Sequence, residues 1–422
     1  MRGINVTIIF VIAVFIIGAL AIYAYEHFRY SPFALQVDQE VIKEYLRDRH
    51  VELLDIALRG EINRRTVQIN KRMSTYDFAL RVAPMLSILN DGVTRIEIPL
   101  KTTDQTLPLR FKYINDKVIV SMSSCEIPVG SIILTINGYP IENIVEKYKK
   151  LFPTLDEFQQ KYAFVDKLLS YYPRIIEAQT IQIKYQLPQS NAQRTSYIKS
   201  IPFKDFQRIM HVKPMETYTI SDYTIVKINS FNISNKNDLK DVIEMFHKIA
   251  QSSKKVIFDL RYASDGDIAL PTMIISKLIT SPAMLYPKLI SRHKFQQIEK
   301  QQIPVEPDPE RLESEVYFIV DKTCFYTPHK TLLTFLGTHD IGKVITFDTL
   351  DFSKLSFYTD EFWKILPNTR TYITMPLSKV VADSHFKDGQ LIDIEEQQFT
   401  ENELTNRDYY IEWLKKIVLM LE

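Results

Sequence analysis

Glycine is scarce in this chain, with 10 residues in 422. Glycine lets a backbone turn tightly and approach an anion closely, so a site built on several glycine loops is argued against. Cysteine is scarcer still: Cys125 and Cys324 give no metal spacing and no redox motif. They read as buried free thiols, the alternative being a disulfide joining them. Net charge is nearly absent, at +1, and without a basic stripe nucleic-acid binding is not expected. His211, His247, His293, His339 and His385 share no ligand spacing, so neither a metal nor a cofactor is expected.

What the chain does have begins with an uncharged apolar run from Ile4 to Tyr25. Its length suits a helix of ~20 residues crossing a bilayer, and Tyr23 and Tyr25 fit an interfacial belt. We expect an uncleaved anchor over 1–30. Ala19-Leu20-Ala21 also suits a signal-peptidase site, so cleavage and export is the alternative. From 31 to 92 the apolar residues Val41, Tyr45, Leu54, Leu58, Phe78 and Met85 recur at helical spacing, with Asp38 and Ser74 as expected N-caps. His50, among charged neighbours, reads as a solvated face residue.

Over 93–214 strand patterns dominate. Val118 to Val120 reads as a strand, and Ile132-Ile133-Leu134-Thr135-Ile136 leads into Asn137-Gly138, a strong hairpin signal. A helix follows from Ile144, a second from Phe158 to Tyr172, and then a strand pair around Ile181 to Tyr185 and Tyr197 to Ile201. Phe203 to Pro214 reads as a linker. Ile127-Pro128-Val129-Gly130 through Asn137-Gly138-Tyr139-Pro140-Ile141 resembles a PDZ-like module. Such modules take peptide tails by strand addition, which makes Ile127, Gly130 and Ile132 the candidate peptide-binding residues; a plain packing domain is the other reading.

From 215 to 422 the pattern turns to strand–helix–strand. Tyr223 to Phe231 is a strand, and Leu239, Val242, Ile243, Phe246 and Ile249 form a helical stripe. Val256-Ile257-Phe258-Asp259-Leu260-Arg261 is a buried strand opening into a loop at 262–267, where ligand chemistry sits in open α/β sheets. Val316 to Asp321 is another buried strand, running into Thr323-Cys324-Phe325-Tyr326-Thr327-Pro328-His329. Lys288 to Glu310, polar and closed by Pro304, Pro307 and Pro309, reads as an irregular surface insertion.

These stretches together resemble the S41 peptidases, the C-terminal-processing or tail-specific protease family, in the branch common in Bacteroidota. The family strand ends in Asp-Leu-Arg-x-Asn-x-Gly-Gly; here Asp259, Leu260, Arg261 and Gly266 stand in register, with Ala263 for Asn and Asp265 for the first Gly. The family's Asp-Gly-His-Thr corresponds to Asp91-Gly92-Val93-Thr94, and its Thr-x-Ser-Ser-Ala-Glu run places Tyr326 at the nucleophile, Thr327 at the second Ser and His329 at the Glu. Ile365-Leu366-Pro367-Asn368 resembles a further family run. Where some relatives carry a lysine base beyond the nucleophile, Asp351 falls near the spacing and Lys354 is the nearest lysine.

The resemblance implies an α/β protein with an amino-terminal transmembrane helix and helical segment, a PDZ-like domain and an S41 (ClpP/crotonase-like) βαβ domain. It implies the peptidase positions Val93, Tyr326, Thr327 and His329 and the oxyanion or cleft positions Ala263, Asp265 and Gly266. Valine cannot take a proton, and losing nucleophile or base removes on the order of 10⁶ of rate from a triad. We therefore expect a pseudopeptidase that keeps a cleft for an extended peptide or unfolded protein tail. The alternatives are an active endopeptidase using Thr327, or a structural subunit of an envelope complex. The expected location is a bacterial inner membrane, single-pass, with the bulk of the chain in the periplasm, or the periplasm itself after signal cleavage.

Overall fold

In the computed structural model, which describes residues 29–171, 180–233, 235–252, 254–293, 296–302, 304–347, 356–382, 386–387, 389–394 and 401–422, Lys255–Asp259 is a central parallel strand. It pairs with Tyr223–Ile228 on one side and Glu315–Val320 on the other. Lys343–Thr346 and Leu391–Asp393 extend the parallel sheet, and Met215–Ile220 closes the opposite edge antiparallel.

Side-chain alternation along these strands builds two cores. Val226, Val256, Phe258, Phe318 and Val344 pack against the helices Lys236–Ser252, Ala269–Leu278 and Thr327–His339. The intervening residues Ile225, Ile257, Tyr317, Ile319 and Ile345 face the helix Arg407–Leu421 through Tyr410, Trp413, Leu414 and Ile417. Both faces are covered, which is why apolar residues follow one another at 256–258 and 316–320.

The Asp-Leu-Arg signature has a structural use. Asp259 accepts bonds from Arg261 Nε at 2.9 Å, Arg261 Nη2 at 2.8 Å and Tyr410 Oη at 2.9 Å, and the guanidinium lies 4.0 Å from the centre of the Trp413 ring. Burial opposes ionisation of Asp259, but the Arg261 charge outweighs it and holds the carboxyl below its usual range. The pair thus fastens the strand end to the closing helix.

A second sheet centres on Tyr372–Val380, which pairs with Phe357–Ile365 along one edge and with Arg95–Glu97 and Leu289–Ser291 along the other. Contrary to the expected insertion, Leu289–His293 and Gln296–Glu299 form a hairpin of this sheet. Its outer strand Gln296–Glu299 is polar because it is exposed, and Leu289–His293 is mostly half-buried. A third, antiparallel sheet runs Leu109–Ile114, Lys117–Ser123, Ile132–Ile136, Thr180–Gln186, Gln193–Lys199. Asn137 and Gly138 turn back on it with φ of 49° and 78°, the positive pair a tight hairpin requires. Phe203–Ile209 is a helix, not a linker.

Three helices, Pro32–Arg49, Ile56–Arg64 and Thr75–Leu86, share one core with the third sheet. Ser31 caps the first of them. Asp38, expected as that cap, is buried inside the helix and accepts from the Asn368 and Thr369 backbone N–H groups at 3.0 and 2.8 Å. His50 is fully buried instead of solvated, because it ends the helix facing inward onto Asp91. Both cysteines are free, Cys125 half-buried and Cys324 buried. No helix among the described residues is long and apolar enough to cross a membrane, and the expected anchor at 4–25 lies outside them, as do Asp351, Lys354 and His385.

Replacing Arg261 with Met leaves the Asp259 charge buried without its cation. We expect a loss of about 3–5 kcal/mol, read as a lower urea midpoint.

Candidate active site

The strand Glu315–Val320 ends at Asp321, whose Oδ1 accepts from the Thr323 backbone N–H at 2.8 Å. Thr323 Oγ1 in turn accepts the Tyr262 N–H at 2.9 Å, tying this turn to the loop after Lys255–Asp259. Tyr326 then stands at the N-cap of the helix Thr327–His339. Its side chain turns inward and is buried. Phe325 and Tyr162 pack on it, with ring centres 4.3 and 6.3 Å away, and Lys167 Nζ lies 4.6 Å from its ring centre. The hydroxyl has no hydrogen-bond partner. Burial, then the nearby Asp166 and Asp265 charges, push its pKa well up, so the group is a neutral phenol.

Val93, Asp265, Tyr326 and Thr327 meet around one cavity of about 20 Å³, room for about one water molecule. Of the candidate residues, these four are brought together. Charged groups that the sequence did not single out line the same space. Lys167 Nζ is 2.5 Å from Asp265 Oδ2, and Arg95 pairs with Glu97 and lies 3.7 Å from Glu361. Burial resists the Asp265 charge, but Lys167 and Arg95 outweigh it and hold the carboxyl low. Burial pushes Glu361 up, and Arg95 only partly offsets this. Behind Val93, Asp91 accepts from the Val93 and Thr94 N–H groups at 2.7 Å each and meets His50 Nε2 at 2.8 Å. His50 Nδ1 accepts the Glu52 N–H at 3.2 Å, which puts the ring proton on Nε2, facing Asp91. Local pattern could not have found these groups, because Lys167 and Asp265 are 98 residues apart.

The remaining candidates sit elsewhere. His329, placed by the resemblance at the family Glu, is fully buried; its Nε2 donates to the Leu260 carbonyl at 3.0 Å and its Nδ1 has no partner among the described residues. Phe231 packs edge-on against it at 4.7 Å between ring centres. Ala263 is buried, and the adjacent Ser264 exchanges backbone bonds with Asn229 and Phe231 at 2.9 and 3.0 Å. Gly266 abuts the backbone of Phe231 and Asn232 so closely that an added Cβ would overlap it, and its N–H is taken by Asp265 Oδ1 at 2.9 Å. Thr327 and Lys330 both border the cavity, three positions apart on the helix, with no hydrogen bond between them. Ile127 is core. Gly130 donates to the Val120 carbonyl at 2.8 Å, and Ile132 pairs with Ile119 on one side and Gln186 on the other.

No family model matches the sequence, and no curated protein matches it. Among solved structures, mature CPAF complexed with lactacystin aligns with a TM-score of 0.59 at 13% identity, over 92% of this chain and 98% of that one. The chain has the S41 peptidase fold. The photosystem II D1 C-terminal processing protease aligns with a TM-score of 0.48 at 12% identity over 85% of this chain and 93% of its own. A Bacteroides fragilis protein assigned to the S41 proteases gives 0.48 at 13% identity over 89% of this chain and 97% of its own.

Burial lowers the His329 pKa from 6.5 to about 4, so the unfolded chain takes up a proton here before the folded one does. The stability this site contributes is whole above pH 6.5 and lost as pH falls toward 4, a span worth about 3 kcal/mol. Asp91, Asp259 and Asp265, all held low, add a further loss as pH falls below about 4. We expect the urea midpoint to drop between pH 6.5 and 4, and His329→Gln, which keeps a donor for Leu260 but does not titrate, to flatten that limb.

Proposed function

We propose that this chain is a pseudopeptidase: an S41-fold protein that binds peptide or protein segments without hydrolysing them. The observation that carries the reading is Tyr326, buried at the nucleophile position under the Lys167 ammonium. An acyl-transfer site needs a nucleophile, a base in reach and oxyanion donors around an open space. Here the nucleophile position holds a neutral phenol, the base position holds Val93, and the space admits one water. The loop at 263–266 supports the same reading, since the Gly266 N–H is already bonded to Asp265.

The S41 fold supports peptide or protein partners. With the interior closed, the outer edge of Gln193–Lys199, which no other strand covers among the described residues, is where an added strand would pair. Membrane anchoring through 4–25, with the remainder in the periplasm, belongs to the same proposal.

The test is incubation of the full chain in detergent with an unfolded protein such as reduced casein. We expect no cleavage over hours from the wild type, from Thr327→Ala or from Tyr326→Ser, because restoring a hydroxyl without a base at 93 restores no triad. Cleavage by the wild type that Thr327→Ala abolishes would overturn the proposal.

A further inference from the structure

Arg261, Tyr262 and Ser264 border a second cavity, of about 420 Å³, within the size range of small-molecule sites. It forms where the third sheet meets the central sheet and the closing helix. Six basic side chains line it against three carboxylates. Two of the six are already neutralised: Lys112 Nζ is 2.6 Å from Asp166 Oδ1, and Arg261 is paired with Asp259. The other four, Arg110, Lys213, Lys227 and Arg407, form no ion pair among the described residues. Glu216 is engaged by the Tyr218 hydroxyl at 2.5 Å.

Lys227 is the telling member. It lines the cavity from the strand Tyr223–Ile228, half-buried, with its Nζ 4.4 Å from the centre of the Tyr410 ring and no side-chain hydrogen bond among the described residues. Arg110 uses Nε on the Met210 carbonyl at 2.6 Å, leaving its two terminal nitrogens for a ligand. Arg407 lies 5.4 Å from the Tyr218 ring centre at the mouth. Burial depresses the pKa of Lys227 and of Arg110, and the nearby carboxylates, Asp259 and Glu216 for Lys227 and Asp166 for Arg110, only partly offset it. A ligand bearing several negative charges would supply further counter-charge through charge-assisted hydrogen bonds.

We propose that this cavity binds a small polyanion, a molecule carrying two or more phosphate or carboxylate groups, between Arg110, Lys213, Lys227 and Arg407. The site is separate from the Tyr326 cavity, and the assignment holds whether or not that cavity is inert.

The test is calorimetric titration of the full chain with inorganic pyrophosphate, with citrate and with acetate as a single-charge control, all at one ionic strength. We expect saturable one-site binding of pyrophosphate or citrate, little with acetate, and Kd raised about tenfold or more in Lys227→Met and in Arg407→Gln. Binding of pyrophosphate alone assigns a phosphate-bearing ligand, and binding of citrate alone a polycarboxylate. No saturable binding of either probe overturns the proposal, as does binding that neither variant weakens. Circular dichroism checks that Lys227→Met folds; if it does not, the exposed Arg407→Gln decides.

Discussion

Lys167 holds its ammonium 2.5 Å from Asp265 and 4.6 Å from the centre of the Tyr326 ring, and through that contact three distant stretches become one interior. The carboxylate at 265 is half-buried and is held ionised by a neighbouring cation. Lys167, at the end of the helix Glu157–Lys167, supplies it. The same cation needs a second surface to lie on, and the aromatic face at 326 provides one. The residues that stand at 265 and 326 are therefore coupled physically: an acid in the 261–266 loop and an aromatic ring at the start of the helix Thr327–His339 share one lysine. Val93 completes the wall with an apolar side chain.

That coupling explains why the site reads so differently from its chain trace. The strand Glu315–Val320 ends in a turn that leads into the helix Thr327–His339. The side chains around that turn leave room for about one water. His329 follows the pattern: one turn into the helix, it points into the protein and spends its one donor on Leu260.

Much of this architecture was legible in the chain. Continuous apolar runs at 256–258 and 316–320 mark strands covered on both faces, and the helical stripe from Leu239 to Ile249 marks the helix that covers one of them. Asn137-Gly138 announced its hairpin through backbone chemistry alone. What stayed hidden has physical causes. Gln296–Glu299 is an exposed edge strand and Leu289–His293 beside it is mostly half-buried, so their polarity resembles loop. His50 and Asp38 have charged neighbours yet face inward, because a helix end and a buried acid found partners far along the chain at Asp91 and at Asn368 and Thr369. Ion pairs such as Lys167–Asp265 carry no local signature. Sequence register located Val93, Asp265, Tyr326 and Thr327 around one point, but it could not say whether the space between them was open.

Whether Tyr326 belongs to the core or to a cleft is the claim on which the account turns. The direct measurement is the unfolding free energy of Tyr326→Ala against wild type, from urea titration at pH 7. A buried aromatic ring in a packed interior is expected to cost about 3–5 kcal/mol on truncation. A change within about 0.5 kcal/mol, as for a residue at an open surface, would contradict the account and return Tyr326 to an accessible site.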